Sequence, residues 1–240
     1  MNLALLLDED FVAPDRAVLR GRRLQHLREV LGATTGEDIR DGRLNGQMGM
    51  GTLVHLDDLQ AELRVHWDAP PPEPLPLTLI VALPRPKMIR RILQTAATMG
   101  VKRLCFINAY KVEKSYWQSP WLQPDALMEN LILGLEQGRD TQLPQVTLHK
   151  RFKPFVEDEL PELSAGQQRL VAHPGTQTPC PTQVNQPVCL CIGPEGGFIP
   201  YEVDLLMRGG FIPVHLGSRI LRVETAVPVL AARLFDSCRY

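Results

Sequence analysis

No stretch of this 240-residue chain stays apolar for the roughly 20 residues that a membrane helix needs, so no membrane association is expected. The run Leu3–Leu7 has no basic flank and ends in Asp8, Glu9 and Asp10, so it does not read as a secretory signal. Paired cysteines are also missing. The five thiols, Cys105, Cys180, Cys189, Cys191 and Cys238, are odd in number and scattered, which points to reduced cysteines and a cytoplasmic location. Cys189 and Cys191 lie two apart, a spacing unlike a zinc knuckle, and no metal is expected. There is neither a G-x-G-x-x-G fingerprint nor a Walker A sequence, which argues against Rossmann dinucleotide and P-loop nucleotide sites. An excess of positive charge is lacking too: the net charge of −1 argues against a protein that coats nucleic acid. Residues 1–70 carry 8 basic and 12 acidic side chains, so any RNA contact there must use local clusters such as Arg20, Arg22 and Arg23. No internal repeat or low-complexity tail is present.

Five prolines in residues 70–76 cannot sit in a helix or a central strand and predict a semi-rigid linker. Before it, residues 1–69 read as a small β-barrel domain. Gly42, Gly46, Gly49 and Gly51 suggest tight turns, and residues 61–67 alternate as a half-buried strand does. A helix is predicted over 22–32, with Leu24, Leu27, Val30 and Leu31 on one stripe and Gly32 as its stop. After the linker, residues 77–240 alternate strand and helix. Strands are predicted at 77–83, 101–108, 169–174, 188–194 and 211–217, and helices at 87–99, 124–138, 200–207 and 224–237. Such alternation with apolar strands predicts an α/β fold around a parallel sheet, with ligands beyond the carboxyl ends of the strands.

Three loops follow the last three strands: His173-Pro174-Gly175, then Gly193-Pro194-Glu195-Gly196-Gly197-Phe198, then Leu216 to Ala226. They leave one edge of the sheet, so their tips can meet. The glycines of the second loop allow close backbone approach to a ligand, although a plain tight turn would look the same. In the third loop Arg219, Arg222 and Glu224 fall within six residues beside Ile220 and Leu221. Alone, that cluster suits a salt bridge capping the last helix, with Thr225 a helix-start residue.

The combination is more specific. Ile192-Gly193-Pro194-Glu195-Gly196-Gly197-Phe198, followed by Leu216-Gly217-Ser218-Arg219-Ile220-Leu221-Arg222-Val223-Glu224-Thr225-Ala226, closely resembles the signature of the RsmE family, ribosomal RNA (uracil-N3) methyltransferases of the SPOUT class. Glu136-Gln137-Gly138-Arg139 with Pro144, Lys87-Met88 with Gly100-Val101, and Val171 to Gly175 resemble further family segments, and residues 26–41 resemble its PUA-like barrel more weakly. The resemblance implies a trefoil-knotted C-terminal domain, a PUA-like N-terminal barrel, and a homodimer in which the partner completes each active site. It implies S-adenosylmethionine held near His173, Pro174, Ile192, Gly193, Glu195, Gly196, Gly197, Leu216, Gly217, Ile220, Leu221, Thr225 and Ala226. Departures from the family pattern include Thr98-Met99 before Gly100, and Pro228, which interrupts the last helix.

Methylating uracil N3 requires loss of its proton, so the enzyme must stabilise negative charge spread over N3 and two carbonyl oxygens. An arginine fork matches two oxygens of a planar anion; Arg222 is the first candidate and Arg219 the second. Glu224 either takes the proton or orients Arg222, and a helix start, which favours negative charge, suits orientation. Arg20, Arg22, Arg23 and Arg28 are candidate phosphate contacts or simply a solvated helix face; Arg139 is expected to meet RNA or the partner subunit. The substrate would be 16S ribosomal RNA in the small subunit. Two other readings stay open: a SPOUT methyltransferase of transfer or 23S RNA, and a non-catalytic RNA-binding assembly factor that keeps the fold.

Overall fold

The structure, a computed structural model, describes residues 2–235 and divides into two compact units. One comprises the chain up to Pro72 together with Ile132–Leu143; the other comprises Glu73–Leu131 and the chain from Pro144 onward. The first division falls within the proline run, after Pro72. Residues 132–143, expected with the second domain, cluster with the first unit.

The first unit contains β1 (Ala4–Leu6), β2 (Phe11–Ala13), β3 (Arg16–Leu19), α1 (Gly21–Gln25), β4 (Asp38–Arg43), β5 (Met48–Leu56), β6 (Ala61–Arg64) and β7 (Trp67–Ala69). The strand order is β1-β4-β5-β6-β3-β2, with β7 also on β5; β1 and β4 run parallel and the other pairs antiparallel. Leu6, Leu19, Leu24, Leu27, Leu53 and Leu63 lie in the unit's core. Of the four glycines expected in turns, only Gly46 sits in one; Gly42, Gly49 and Gly51 lie inside β4 and β5. The reason is close approach rather than turning. A Cβ on Gly49 would lie 1.9 Å from the His66 carbonyl oxygen, and one on Gly51 2.0 Å from Asp41 Oδ2. The predicted helix is short. After Gln25 the backbone widens into a π-helical turn over His26–Val30, closed by Leu31 N–H donating to the His26 carbonyl. That extra residue per turn rotates the stripe, so Leu24 and Leu27 are buried while Val30 and Leu31 face solvent.

The second unit contains β8 (Leu75–Ala82), α2 (Pro86–Thr98), β9 (Val101–Ile107), the start of α3 (Pro124–Gly138), β10 (Gln145–His149), α4 (Phe152–Pro154), α5 (Leu160–Leu163), β11 (Gln168–Ala172), β12 (Val188–Ile192), α6 (Pro200–Arg208), β13 (Ile212–Val214) and α7 (Val223–Leu234). Every strand pair is parallel, in the order β10-β9-β8-β12-β11-β13. β8 and β12 are buried almost throughout, as expected of strands covered on both faces. Desolvation pushes the Cys189 thiol up to about 12 and Cys191 well above its usual value, so both are neutral packing residues. No disulfide joins the described cysteines; Cys238 and the expected helix end at Ser237 lie outside the described residues. β10 and the helical turns over 152–163 were not among the expected elements; Gln145–His149 does alternate polar and apolar residues, but in this edge strand burial does not follow the alternation and Leu148 is exposed. Pro86 opens α2, Gly100 ends it at φ +79°, and Ile89, Ile92, Leu93, Ala96 and Ala97 form its buried stripe. α7 runs through Pro228 instead of stopping there. The proline's cost, about 3 kcal/mol in a helix interior, is offset by burial of Val227, Leu230, Ala231 and Leu234. No helix among the described residues is long and apolar enough to cross a membrane.

One polar group stands out in the first unit. Asp41 is fully buried; its Oδ1 accepts from Trp67 Nε1 at 2.7 Å, but its Oδ2 has no hydrogen-bond partner. Burial raises its carboxyl to about 6, against the smaller opposing effect of the Trp67 hydrogen bond. Between its unfolded value of 3.8 and about 6 the folded state holds the extra proton, so stability falls as pH rises through that window and stays lower above it. Asp41→Asn removes this term. In urea unfolding the variant should be more stable than the parent at pH 8, by on the order of 1–3 kcal/mol, with the difference closing near pH 4. Equal differences at both pH values would contradict a buried, titrating Asp41.

Candidate active site

Parallel pairing brings the carboxyl ends of β11, β12 and β13 to one edge of the second unit's sheet. There the three following loops enclose a cleft of about 320 Å³. His173 and Pro174 line it from the β11 loop; Ile192, Gly193, Glu195, Gly196 and Gly197 from the β12 loop; Leu216, Gly217, Arg219, Ile220 and Leu221 from the β13 loop. Ala226 reaches it from the first turns of α7. Three expected residues are not in the wall. Arg222 is the exposed N-cap of α7, its carbonyl accepting from the N–H groups of Thr225 (3.0 Å) and Ala226 (2.8 Å). Glu224 is half-buried in the first turn, and Thr225 is exposed. No ion pair joins Arg222 to Glu224 among the described residues.

Local chemistry fixes the middle loop. The buried run of β12 ends at Gly193, where an added Cβ would meet the Phe198 ring at 3.1 Å. Phe198 is itself buried and packs 5.9 Å from the Phe152 ring centroid. Gly197 has φ +72° and Gly217 φ +115°, conformations that present backbone to the cleft with no side chain in the way. In the third loop the Gly217 N–H donates to His215 Nδ1 at 2.9 Å. Ile220 is 80% exposed, so an apolar side chain stands at the cleft's mouth in water.

Three groups that the sequence did not single out hold the middle loop in place. Glu202, only 3% exposed, accepts from the Ile199 N–H at 3.0 Å and from the Tyr110 N–H at 2.7 Å, tying the start of α6 to the loop after β9. Lys111 Nζ donates to the Gly196 carbonyl at 2.7 Å. Glu195 accepts from the Arg85 N–H at 3.0 Å, so this carboxylate is engaged at the end of the β8 loop. Glu202, three residues after Ile199, sits at a capping position that a helix-start pattern can reveal; Lys111 carries no such signal.

Four arginines of the first unit, Arg20, Arg22, Arg23 and Arg28, are already engaged. Arg23 makes two 2.6 Å bonds to Asp10 and a third, of 2.8 Å, to the Leu5 carbonyl, and it is largely buried. Arg22 makes bonds of 2.8 and 3.2 Å to the buried Glu136. Arg20 donates to Gln60, and Arg28 pairs with the exposed Asp58. Arg139, exposed at φ +57°, lines a hollow of about 420 Å³ with Arg40, Met50 and Pro70. Among the described residues no cluster of acids, histidines and cysteines could hold a metal ion.

Residues 71–235 match the family of RNA methyltransferase domains. The chain is 29% identical to the ribosomal RNA small subunit methyltransferase E of Treponema pallidum, over 94% of this chain and 87% of that protein. It is 26% identical to the protein of the same description from Borreliella burgdorferi, over 94% of both. The fold is similar to a ribosomal RNA small subunit methyltransferase E from Neisseria gonorrhoeae solved with S-adenosyl methionine, with a TM-score of 0.73, 22% identity and 96% of each chain covered.

Because Glu202 serves two buried N–H groups at once, Glu202→Ala should lower unfolding stability by about 2–4 kcal/mol. It should also speed amide exchange selectively in residues 193–198. Unchanged exchange in that loop, measured in folded variant protein, would show that Glu202 does not hold it.

Proposed function

The chain belongs to the RNA methyltransferase domain family, with RsmE proteins as its relatives, and on that premise we propose that it methylates N3 of a uridine in 16S ribosomal RNA, using S-adenosylmethionine, in the cytoplasm. The observation that carries this reading is the three-loop cleft. Two sequence motifs about 20 residues apart close around one cavity with apolar walls and bare backbone. A volume of about 320 Å³ lies within the range of small-molecule sites. Ile192, Leu216 and Leu221 offer apolar faces, and Gly196, Gly197 and Gly217 offer peptide groups that no side chain obstructs, a donor set suited to an adenosine and a short charged tail. Bound there, S-adenosylmethionine would supply an electrophilic methyl on its sulfonium.

The chain's own residues then have separable tasks. The β11 and β12 loops bind the donor and exclude water, and the Glu202 and Lys111 braces fix the β12 loop against the loop after β9 beforehand, so little order is lost on binding. Arg222, at the start of α7 but outside the cleft wall, is free to turn its fork onto the two carbonyl oxygens that flank uracil N3, stabilising the anion formed as the proton leaves. Arg219, on the rim, is the second such cation. Glu224 accepts that proton or draws Arg222 into line. The first unit acts as a PUA-like RNA selector, with Arg20, Arg28 and Arg139 better placed for phosphate than Arg23, which Asp10 already holds. The order β8-β12-β11-β13, with β12 inserted between β8 and β11, supports a trefoil knot. Two copies form the working enzyme, and the exposed Ile220 and Val229 suit contact with the partner.

The decisive experiment supplies RNA from a strain lacking this gene and identifies the product nucleoside by mass spectrometry; 3-methyluridine in 16S RNA supports the proposal, and another nucleoside or none overturns it. Within the site, Arg222→Ala should cut methyl transfer by about 10²-fold or more while donor affinity by calorimetry changes little. Arg222→Lys should recover only part, since a point charge cannot replace the fork. Full activity in Arg222→Ala would move the acceptor role elsewhere.

A further inference from the structure

Outside the cleft, charge is distributed unevenly along the second unit. From Pro74 to Val112 the chain has no acidic residue in 39 positions, but it has seven basic ones: Arg85, Lys87, Arg90, Arg91, Lys102, Arg103 and Lys111. Four of these gather at the start of α2, where Arg85, Lys87, Arg90 and Arg91 are all exposed. A soluble helix ordinarily mixes both signs on its outer face, which gives i,i+4 pairs. On α2 itself only one sign is present, at the helix end whose dipole already repels cations, and the carboxylate seen there, Glu195, is spent on the Arg85 N–H. Neither Lys87 nor Arg91 meets a carboxylate among the described residues. The sequence therefore maintains a locally unfavourable charge, which an external anion would relieve.

The surroundings point to a polyanion with planar groups. The Arg90 guanidinium lies over the Trp121 ring at 4.5 Å from its centroid, and the Arg85 side chain lies near the Tyr116 hydroxyl. Basic side chains interleaved with aromatic rings are the surface that single-stranded RNA uses, through its phosphates and its bases. The patch also abuts the cleft: the Arg85 N–H is bonded to Glu195 in the middle loop.

We propose that the exposed face of α2, with Lys87 and Arg91 at its centre and Arg85, Arg90 and Trp121 beside them, is the track that holds the RNA strand next to the methyl-donor cleft. The inference rests on the RNA methyltransferase reading and adds the face of the second unit through which the substrate is held. Phosphates neutralise the cations, and Trp121 offers an edge or face to one base. Arg90 is already ordered on that ring, so less freedom is lost on binding.

The test compares Lys87→Ala/Arg91→Ala with the parent and with Arg103→Ala/Arg208→Ala, which removes the same charge near the amino ends of β9 and β13, the opposite edge of the sheet. RNA binding is measured by fluorescence anisotropy from 50 to 300 mM salt, with an unmethylated 16S RNA fragment carrying the target uridine. The α2 variant should bind about tenfold or more weakly at low salt, and its log Kd against log salt slope should fall by roughly 1.4, about 0.7 for each lost single-strand phosphate contact. Its donor affinity by calorimetry should match the parent's, and its loss in turnover should fall in KM for RNA. The control variant should keep the parent's affinity and slope. Parent-like RNA affinity and slope in a folded α2 variant overturn the track while leaving the methyltransferase reading intact. Equal losses in both variants overturn it as well, because they would reveal only a diffuse field. A parent protein that neither binds nor methylates RNA overturns both readings.

Discussion

Strands that pair in parallel all release their chains at the same edge, and in this protein that constraint turns distant sequence into one site. β12 is bonded on one side to β8 and on the other to β11, and β11 carries β13. The loops beginning at His173, Gly193 and His215 therefore have no option but to meet. The apolar strands that impose this are packed too closely to slip: both faces of β8 and β12 are buried, and a shift of one residue would set every side chain of Val188–Ile192 against the wrong neighbours. Site geometry is thus a consequence of core packing, and the loops need only be short and permissive.

Permissive is not the same as loose. The middle loop combines glycines that give backbone access with three polar braces from elsewhere in its unit. Glu202 is the most consequential, because one buried carboxylate satisfies N–H groups from two separate loops. Its two carboxylate oxygens are both satisfied only while both donors are in place, so the loops after β9 and β12 order together. A cleft prepared in this way has its polar groups fixed before any ligand arrives, the condition under which electrostatic stabilisation of a transition state is strongest.

Charge is handled differently in the two units. In the first, arginines are consumed internally: Arg23 by Asp10, Arg22 by the buried Glu136. These pairs hold the chain's opening strands to the helix and to residues 132–143. In the second, the acid-free stretch of 39 residues leaves the cations along α2 with no acid nearby in sequence, and neither Lys87 nor Arg91 meets one among the described residues. An arginine that looks available in sequence and one that is available in space are different residues here.

The amino-acid sequence by itself determined the fold class, the order of most elements and the identity of the cleft-lining loops, because each depends on local patterns: apolar runs long enough for buried strands, helical spacing of apolar residues over 87–99, and glycine-rich motifs that only positive φ or bare backbone explains. It also carried the resemblance to a methyltransferase family, through residues 192–198 and 216–226. Tertiary structure alone decided the rest. Gly49 and Gly51 serve close packing rather than turns, because the atoms they avoid belong to His66 and Asp41. α7 passes through Pro228 because neighbouring burial outweighs one lost hydrogen bond. Glu202, Lys111 and Arg85 became site residues only when loops far apart in the chain came within hydrogen-bonding reach, and no local pattern encodes a partner 85 to 110 positions away.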